Sequence, residues 1–212
     1  GFHGRTLGCM SITTSKTSCR EGYQPLLPGI FHINYPYEGT AEYMKEQLDN
    51  ILERATSPNE TAAIILEPIL GEGGIYKADK EFVKYMREVC DKHHILWISD
   101  EVQTGVGRTG KWWGYQHFDV EPDIITFGKG VASGFPLAGV VSKNKNFESI
   151  QDNGLGGTYN GNVLATEAAN ATIDVLNNEK LIEQTNIKGE LICSSCGFFS
   201  GKASFTAVNK TD

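Results

Sequence analysis

The sequence predicts an α/β fold in which a mostly parallel sheet is flanked by helices. Short apolar runs with the length of buried strands occupy residues 62–66, 95–99, 124–127 and 138–142. Segments with helical periodicity occupy residues 40–55, 79–93 and 161–176. Strands and helices that alternate at this spacing are typical of a parallel sheet with helices packed on it.

The helical segments are predicted from the spacing of their apolar side chains. In residues 40–55 and 79–93 these side chains recur every three or four positions, and Thr40 is placed to cap the first helix. Residues 161–176 are rich in alanine, and from about Asn186 no period is clear, which predicts irregular structure. The apolar stripes consist of Met44, Leu48, Ile51, Leu52 and Ala55, and of Phe82, Tyr85, Met86, Val89 and Cys90.

Polar residues stand where three of the predicted strands end. Glu67 follows the first run, Asp100 the second, and Lys129 comes directly after the third. In open parallel sheets ligands bind beyond the carboxyl ends of the strands, so this rim is the predicted site. The alternative is that each acid only caps a loop.

Composition narrows the class of protein. The 212 residues suit one large domain, and a net charge of -7 argues against nucleic acid as the main partner. No stretch reads as a membrane span or a signal peptide, and the first residue is not Met, so a fragment is expected. Five scattered cysteines predict reduced thiols in the cytosol or mitochondrial matrix. The lone pair Cys193 and Cys196 has no second pair, so no metal site is predicted.

Lys129 and Asp100 suggest one cofactor. Lys129 is flanked by glycines after an apolar strand, which predicts a partly desolvated, nucleophilic amine that a planar group can approach. Pyridoxal 5'-phosphate binds covalently to a lysine and needs a carboxylate at its ring nitrogen. Asp100 ends the neighbouring predicted strand, so the two residues are expected on one rim.

Four segments extend this interpretation into a family resemblance. They are GFHGRTLG from Gly1, ILEPILGEGG from Ile65, ISDEVQTGVGRTGKWWGYQHFDVEPDIITFGKGVASGFPLAGVV from Ile98, and GGTYNGNVLATEAA from Gly156. Together they resemble the class III pyridoxal-phosphate-dependent aminotransferases of fold type I. The resemblance covers residues 1–185, a partial large domain that binds the cofactor, and leaves residues 186–212 as an atypical tail.

The resemblance implies how the cofactor would be held. Lys129 would carry it covalently and later move the substrate proton, and Asp100 would pair with the pyridine nitrogen. Val102 would pack on one ring face and Phe2 on the other, while Gln103 would bind the ring hydroxyl.

Other residues would serve substrate and partner. Thr158 would bind the phosphate of a neighbouring subunit's cofactor, which implies a homodimer. Arg5 would bind a substrate carboxylate, for which a planar guanidinium is suited. Glu67 would lie near the lysine and the ring, and Glu72 would pair with an arginine near the family's carboxyl terminus.

Two neighbours of these residues are interpreted as structural. His3 is expected to be a hydrogen-bonding residue of the scaffold. Glu101 is expected to face away from the cofactor, because successive residues of a strand point to opposite sides.

The implied activity is transfer of an amino group from an amino acid to a 2-oxo acid such as 2-oxoglutarate. The donor expected from the central block is an omega-amino acid such as 4-aminobutyrate. Ornithine, acetylornithine and alanine–glyoxylate types remain alternatives, as do amino-group mutases and phospho-lyases. The family's preceding phosphate loop and its carboxyl-terminal domain are expected to be missing. An inactive, truncated subunit is therefore a further alternative.

Overall fold

In the computed structural model, which describes residues 1–148, 150–151 and 154–195, helices and strands alternate through the middle of the chain. The helices are α1 (Leu7–Ser11), α2 (Ala41–Arg54), α3 (Lys80–His93), α4 (Asn144–Phe147), α5 (Val163–Asn178) and α6 (Leu181–Ser195). The strands are β1 (Ala63–Leu66), β2 (Ile69–Leu70), β3 (Tyr76–Lys77), β4 (Leu96–Asp100), β5 (Ile124–Phe127) and β6 (Gly139–Ser142).

The main sheet is mostly parallel, as predicted. Its strand order is β1-β4-β5-β6, and the first three strands run parallel. Leu66 lies opposite Ser99, and Asp100 lies opposite Thr126, so the carboxyl ends of these strands form one rim. Strand β6 is antiparallel to β5. Between β5 and β6 the chain makes only the short helical turn Lys129–Ala132, and a parallel return needs a longer crossover.

The two amphipathic helices α2 and α3 begin in different ways. Asp79 caps α3, because Oδ1 accepts the N–H groups of Glu81 and Phe82 at 2.9 and 3.2 Å. Its Oδ2 also accepts the N–H of Gly39 at 2.7 Å. The predicted cap of α2 is wrong in its chemistry: Thr40 stands at the N-cap position, but its hydroxyl donates to the carbonyl of Tyr37.

The main hydrophobic core lies where α2 and α3 pack with the sheet. Trp97 of β4 is 1% exposed and belongs to the same cluster as Met44 of α2 and Phe82 of α3. Burying one large apolar side chain stabilises a fold by about 1.5–3 kcal/mol, so this cluster anchors β4 against α2 and α3. Its buried members are Met44, Leu48, Leu52, Leu66, Ala78, Phe82, Val83, Met86, Val89, Cys90, Ile95, Trp97 and Phe118.

A smaller cluster holds the turn that follows β5. Val131 and Ala132 of this turn are buried against Ala169 of α5. The small side chains of α5 let the helix approach the turn closely. This packing fixes the backbone that carries Lys129.

Helix α6 departs from the sequence prediction. We expected irregular structure from about Asn186, but the helix continues to Ser195. The Asn186 side chain donates to the carbonyl of Gly110 at 2.9 Å, and Ile182 lies against Gly107. These long-range contacts stabilise a helix whose own sequence has little amphipathic pattern. The rest of the predicted tail, residues 196–212, lies outside the described residues, and the domain boundary at 185 stays a prediction.

Two expectations from composition concern membrane spans and cysteines. Among the described residues, no helix combines the length and apolar composition needed to cross a bilayer. Cys9, Cys19, Cys90 and Cys193 are free thiols.

Candidate active site

The polar residues at the sheet rim meet in one cleft. Glu67, Asp100 and Lys129, which follow or end β1, β4 and β5, all line it. Asp100 and Lys129 therefore lie on the same side of the sheet. The full lining is Phe2, His3, Gly4, Glu67, Gly71, Glu72, Asp100, Val102, Gln103 and Lys129.

Asp100 is buried and held on both carboxylate oxygens. Its Oδ1 accepts the N–H of Val102 and the hydroxyl of Thr126, each at 3.1 Å. Its Oδ2 lies 2.7 Å from Nδ1 of His3. With Asp100 ionised, its carboxylate can only accept hydrogen bonds, and Nδ1 of His3 is then the donor. These contacts fix the direction of the carboxylate within the cleft.

His3 is a site residue that sequence reasoning undervalued. Its imidazole is almost fully buried beside Asp100. The backbone N–H of His3 donates to the hydroxyl of Thr13 at 2.9 Å. It is a hydrogen-bonding residue, as expected, but its partner is the central carboxylate of the cleft. His3 and Asp100 are 97 positions apart in the sequence. The only sequence feature that pointed to His3 as a site residue is its place directly after Phe2 in the first motif.

Lys129 reaches into the cleft from a strained position. Its φ is 46°, a left-handed conformation that costs a non-glycine residue about 1–2 kcal/mol. Its amine contacts Oε1 of Gln103. The expected partial desolvation is wrong: the residue is exposed, and the glycines at 130 and 134 leave open space beside it. Strain of this kind is often found at functional positions.

Phe2 and Val102 also line the cleft, as the resemblance implied. The guanidinium of Arg5 lies 5.6 Å from the centre of the Phe2 ring. Arg5 itself is exposed and does not line the cleft. Phe2 therefore forms an aromatic wall of the cleft, and the Arg5 guanidinium contacts its ring from the solvent side.

Of the other predicted site residues, some line the cleft and some do not. Glu67 is 4% exposed, and both of its carboxylate oxygens accept backbone N–H groups. Glu72 is exposed at the cleft edge, with Oε2 3.6 Å from Nζ of Lys16. Thr158 lies in an exposed turn and does not line the cleft. The structure thus brings Glu67 and Glu72 to the cleft but leaves Arg5 and Thr158 outside it.

Glu101 faces away from the cleft and binds the following loop. Its side chain accepts hydrogen bonds from the hydroxyls of Ser99 and Thr104 and from the N–H groups of Gly114 and Tyr115. Burial raises the pKa of Glu101, although these four hydrogen bonds favour the ionised form. Glu101 therefore shapes the loop after Gln103 without contacting the site.

Glu101→Gln should lower the free energy of unfolding by about 1–3 kcal/mol. The side-chain NH₂ of glutamine replaces one carboxylate oxygen, so one backbone N–H of the loop loses its acceptor. The substitution should also remove the part of the pH dependence of the unfolding free energy that comes from Glu101. A raised pKa means that the folded state binds this proton more tightly than the unfolded state. The protonated Glu101 therefore contributes its full stabilisation below pH 4.5, the ordinary pKa of a glutamate. This contribution is lost as the pH rises through the raised pKa of Glu101.

Urea unfolding at a series of pH values measures both effects. The exposed Glu53→Gln variant is the matched control and should follow the wild-type curve. Identical pH profiles for wild type and Glu101→Gln would contradict the assignment.

Comparison with known proteins identifies the family of this chain. The family model for "Aminotransferase class-III" matches residues 1–196. The chain belongs to the class-III aminotransferases. A curated relative, 5-aminovalerate aminotransferase DavT of Pseudomonas putida, is 42% identical over 193 residues, which are 90% of this chain and 45% of the relative. Acetylornithine aminotransferase of Archaeoglobus fulgidus is 41% identical, over 89% of this chain and 47% of the relative.

A solved structure confirms the fold type of this class-III chain. The omega transaminase from Pseudomonas jessenii in complex with PMP is 30% identical, with a TM-score of 0.87. The match covers 94% of this chain and 48% of that protein. The predicted fold type I is therefore correct. The chain spans about half the length of the curated relatives it matches.

Proposed function

We propose that this chain carries the cofactor-binding half of a transaminase that moves amino groups from an amino acid to a 2-oxo acid. The observation that carries the proposal is the convergence of Lys129, Gln103 and Asp100 in one cleft at the sheet rim. An amine, an amide and a carboxylate supply a nucleophile, a hydrogen-bonding group and an anion. Family membership supports the same reaction class.

Pyridoxal 5'-phosphate is the cofactor that this set of residues fits. Lys129 offers a primary amine, and Asp100 offers a carboxylate fixed by three hydrogen bonds. Phe2 and Val102 provide apolar surfaces for the faces of a flat ring. When bound, pyridoxal phosphate supplies an electron sink that acidifies the bond beside the substrate nitrogen.

Six residues of the cleft would each have a defined task in this reaction. Asp100 would hold a proton at the ring nitrogen, and His3 would keep the carboxylate in the required direction. Lys129 would provide the amine for covalent attachment and would then accept and return the substrate proton. Gln103 is hydrogen-bonded to that amine here, and with the cofactor bound it would bind the ring hydroxyl. Phe2 and Val102 exclude water from the ring faces.

Substrate and partner assignments rest on the resemblance and on the names of relatives. The donor we propose is an omega-amino acid such as 4-aminobutyrate, since one relative is named for 5-aminovalerate, a homologue one carbon longer. Acetylornithine is the alternative donor, supported by the other relative. Arg5 would bind a substrate carboxylate, Glu72 would pair with an arginine near the family's carboxyl terminus, and Thr158 would serve a second subunit in a homodimer. The acceptor would be 2-oxoglutarate.

A donor screen tests this function. The chain is incubated with pyridoxal phosphate, 2-oxoglutarate and one of three donors: 4-aminobutyrate, 5-aminovalerate or acetylornithine. Formation of glutamate is then measured by mass spectrometry. We expect the omega-amino acids to react faster than acetylornithine. Cofactor binding without glutamate from any donor would contradict transamination and favour an inactive subunit.

A further inference from the structure

Glu67 occupies an unusual position at the end of β1. It is 4% exposed, yet its carboxylate forms hydrogen bonds with main-chain groups rather than with a charged side chain. Oε1 accepts the N–H of Phe2 at 2.8 Å, and Oε2 accepts the N–H of Gly71 at 2.9 Å. Its carbonyl also accepts the hydroxyl of Tyr35 at 2.9 Å, so the residue is held at both ends.

The two donors belong to different walls of the cleft. Phe2 is 65 residues from Glu67 in the sequence and carries the aromatic wall. Gly71 begins the opposite loop, and an added Cβ there would lie 3.1 Å from Cγ of Gln103. Gln103 in turn contacts the amine of Lys129. Glu67 therefore joins the aromatic wall to the loop beside Gln103, the residue that contacts the amine of Lys129.

This geometry differs from a substrate-binding role. A carboxylate that binds substrate offers an oxygen to the ligand, whereas each oxygen of Glu67 already accepts a backbone N–H of the scaffold. A carboxylate that accepts charge-assisted bonds from backbone N–H groups is a strong and directional anchor.

We propose that Glu67 is a positioning residue that joins the Phe2 and Gly71 walls and so sets the separation that a flat heteroaromatic ring requires. The inference rests on the proposed function only in naming that ring as the cofactor's. Glu67 acts through Phe2 and Gln103 and does not react itself.

Glu67→Gln tests the role, because a carboxamide keeps one acceptor oxygen and must leave one of the two N–H groups unpaired. Amide exchange is measured by NMR on protein labelled with ¹⁵N-phenylalanine and ¹⁵N-glycine. We expect the amide exchange rate of Phe2 or Gly71 to rise about tenfold, because the loss of one ordinary hydrogen bond changes an opening equilibrium by about that factor. Phe82, whose N–H is bound by Asp79, is the internal reference and should not change.

Cofactor affinity is the second measurement. Pyridoxal phosphate is titrated, the adduct is trapped with borohydride, and the labelled fraction gives the dissociation constant. We expect at least about tenfold weaker binding for Glu67→Gln. Asp79→Asn is the matched control: it also removes an acceptor of backbone N–H groups, but at a helix cap that does not line the cleft. It should accelerate exchange at Gly39 or at Phe82, whose N–H groups are bound by different oxygens of Asp79, and leave the affinity unchanged.

The outcomes separate the two proposals. Unchanged exchange at both Phe2 and Gly71 overturns the joining role, and faster exchange with unchanged affinity overturns the positioning role. A wild-type chain that binds no pyridoxal phosphate overturns the proposed function, and the exchange rates then decide the joining role alone. If Glu67→Gln does not fold, Glu67→Asp is measured in its place, because its shorter side chain cannot reach both donors.

Discussion

Lys129→Ala should eliminate covalent attachment of pyridoxal phosphate to this chain and lower any amino-transfer rate by about 10²–10⁴-fold. The physical reason is that Lys129 supplies both the amine that bonds to the cofactor and the group that moves the substrate proton. Its side chain is exposed and its strained φ is the same for alanine, so the free energy of unfolding should change by less than about 0.5 kcal/mol. Borohydride reduction followed by peptide mass spectrometry locates the attachment site.

Two control variants sharpen this experiment. Lys129→Arg keeps the positive charge but has no amine that can form the bond, so it should also lose the label. Lys84→Ala removes a lysine from the exposed surface of α3 and should keep the label. Cofactor attached at any other lysine in the wild-type chain would disprove the assignment of Lys129.

Asp100→Asn should reduce amino transfer by about 10²–10³-fold, because an amide cannot hold a proton at the ring nitrogen as a carboxylate does. The amide oxygen can still accept the hydrogen bonds of Val102 and Thr126. The variant should therefore fold. The measured quantity is the rate at which a donor converts the bound cofactor in a single turnover, on this chain or on any longer protein that carries it.

Rescue by a cofactor analogue distinguishes this role from a structural one. N-methylpyridoxal phosphate carries a permanent positive charge on its ring nitrogen, so it should restore much of the lost rate in Asp100→Asn. Asp123→Asn is the control, because Asp123 is bound to Arg87 and to the N–H of Trp97, away from the cleft. That control should lose stability but keep its rate per folded molecule. An Asp100→Asn rate equal to wild type would overturn the role of Asp100.

The local pattern of the sequence predicted most of the elements that build the site. The strand at residues 124–127 was predicted with the observed bounds, and α3 begins one residue after the predicted start, where Asp79 caps it. Apolar spacing and burial are encoded over a few neighbouring residues, which explains this agreement. The prediction that Asp100 and Lys129 share a rim needed only the parallel pairing of β4 with β5.

Contacts between distant segments were not predictable in this way. The bond from Asn186 to Gly110 holds a helix where irregular structure was expected, and the partners are 76 residues apart. The exposure of Lys129 likewise depends on which side chains surround it in space. Neither feature leaves a periodic signal in the sequence.

The sequence by itself determined the α/β class, the family, and the residues that bring an amine and a carboxylate to one rim. Only the tertiary structure decided that His3 binds Asp100, that Glu101 binds the neighbouring loop, and that Glu67 joins two walls of the cleft. Element type follows from local periodicity. The partner of a buried polar group depends on which remote loop supplies a donor within about 3 Å, and that is known only when the chain is folded.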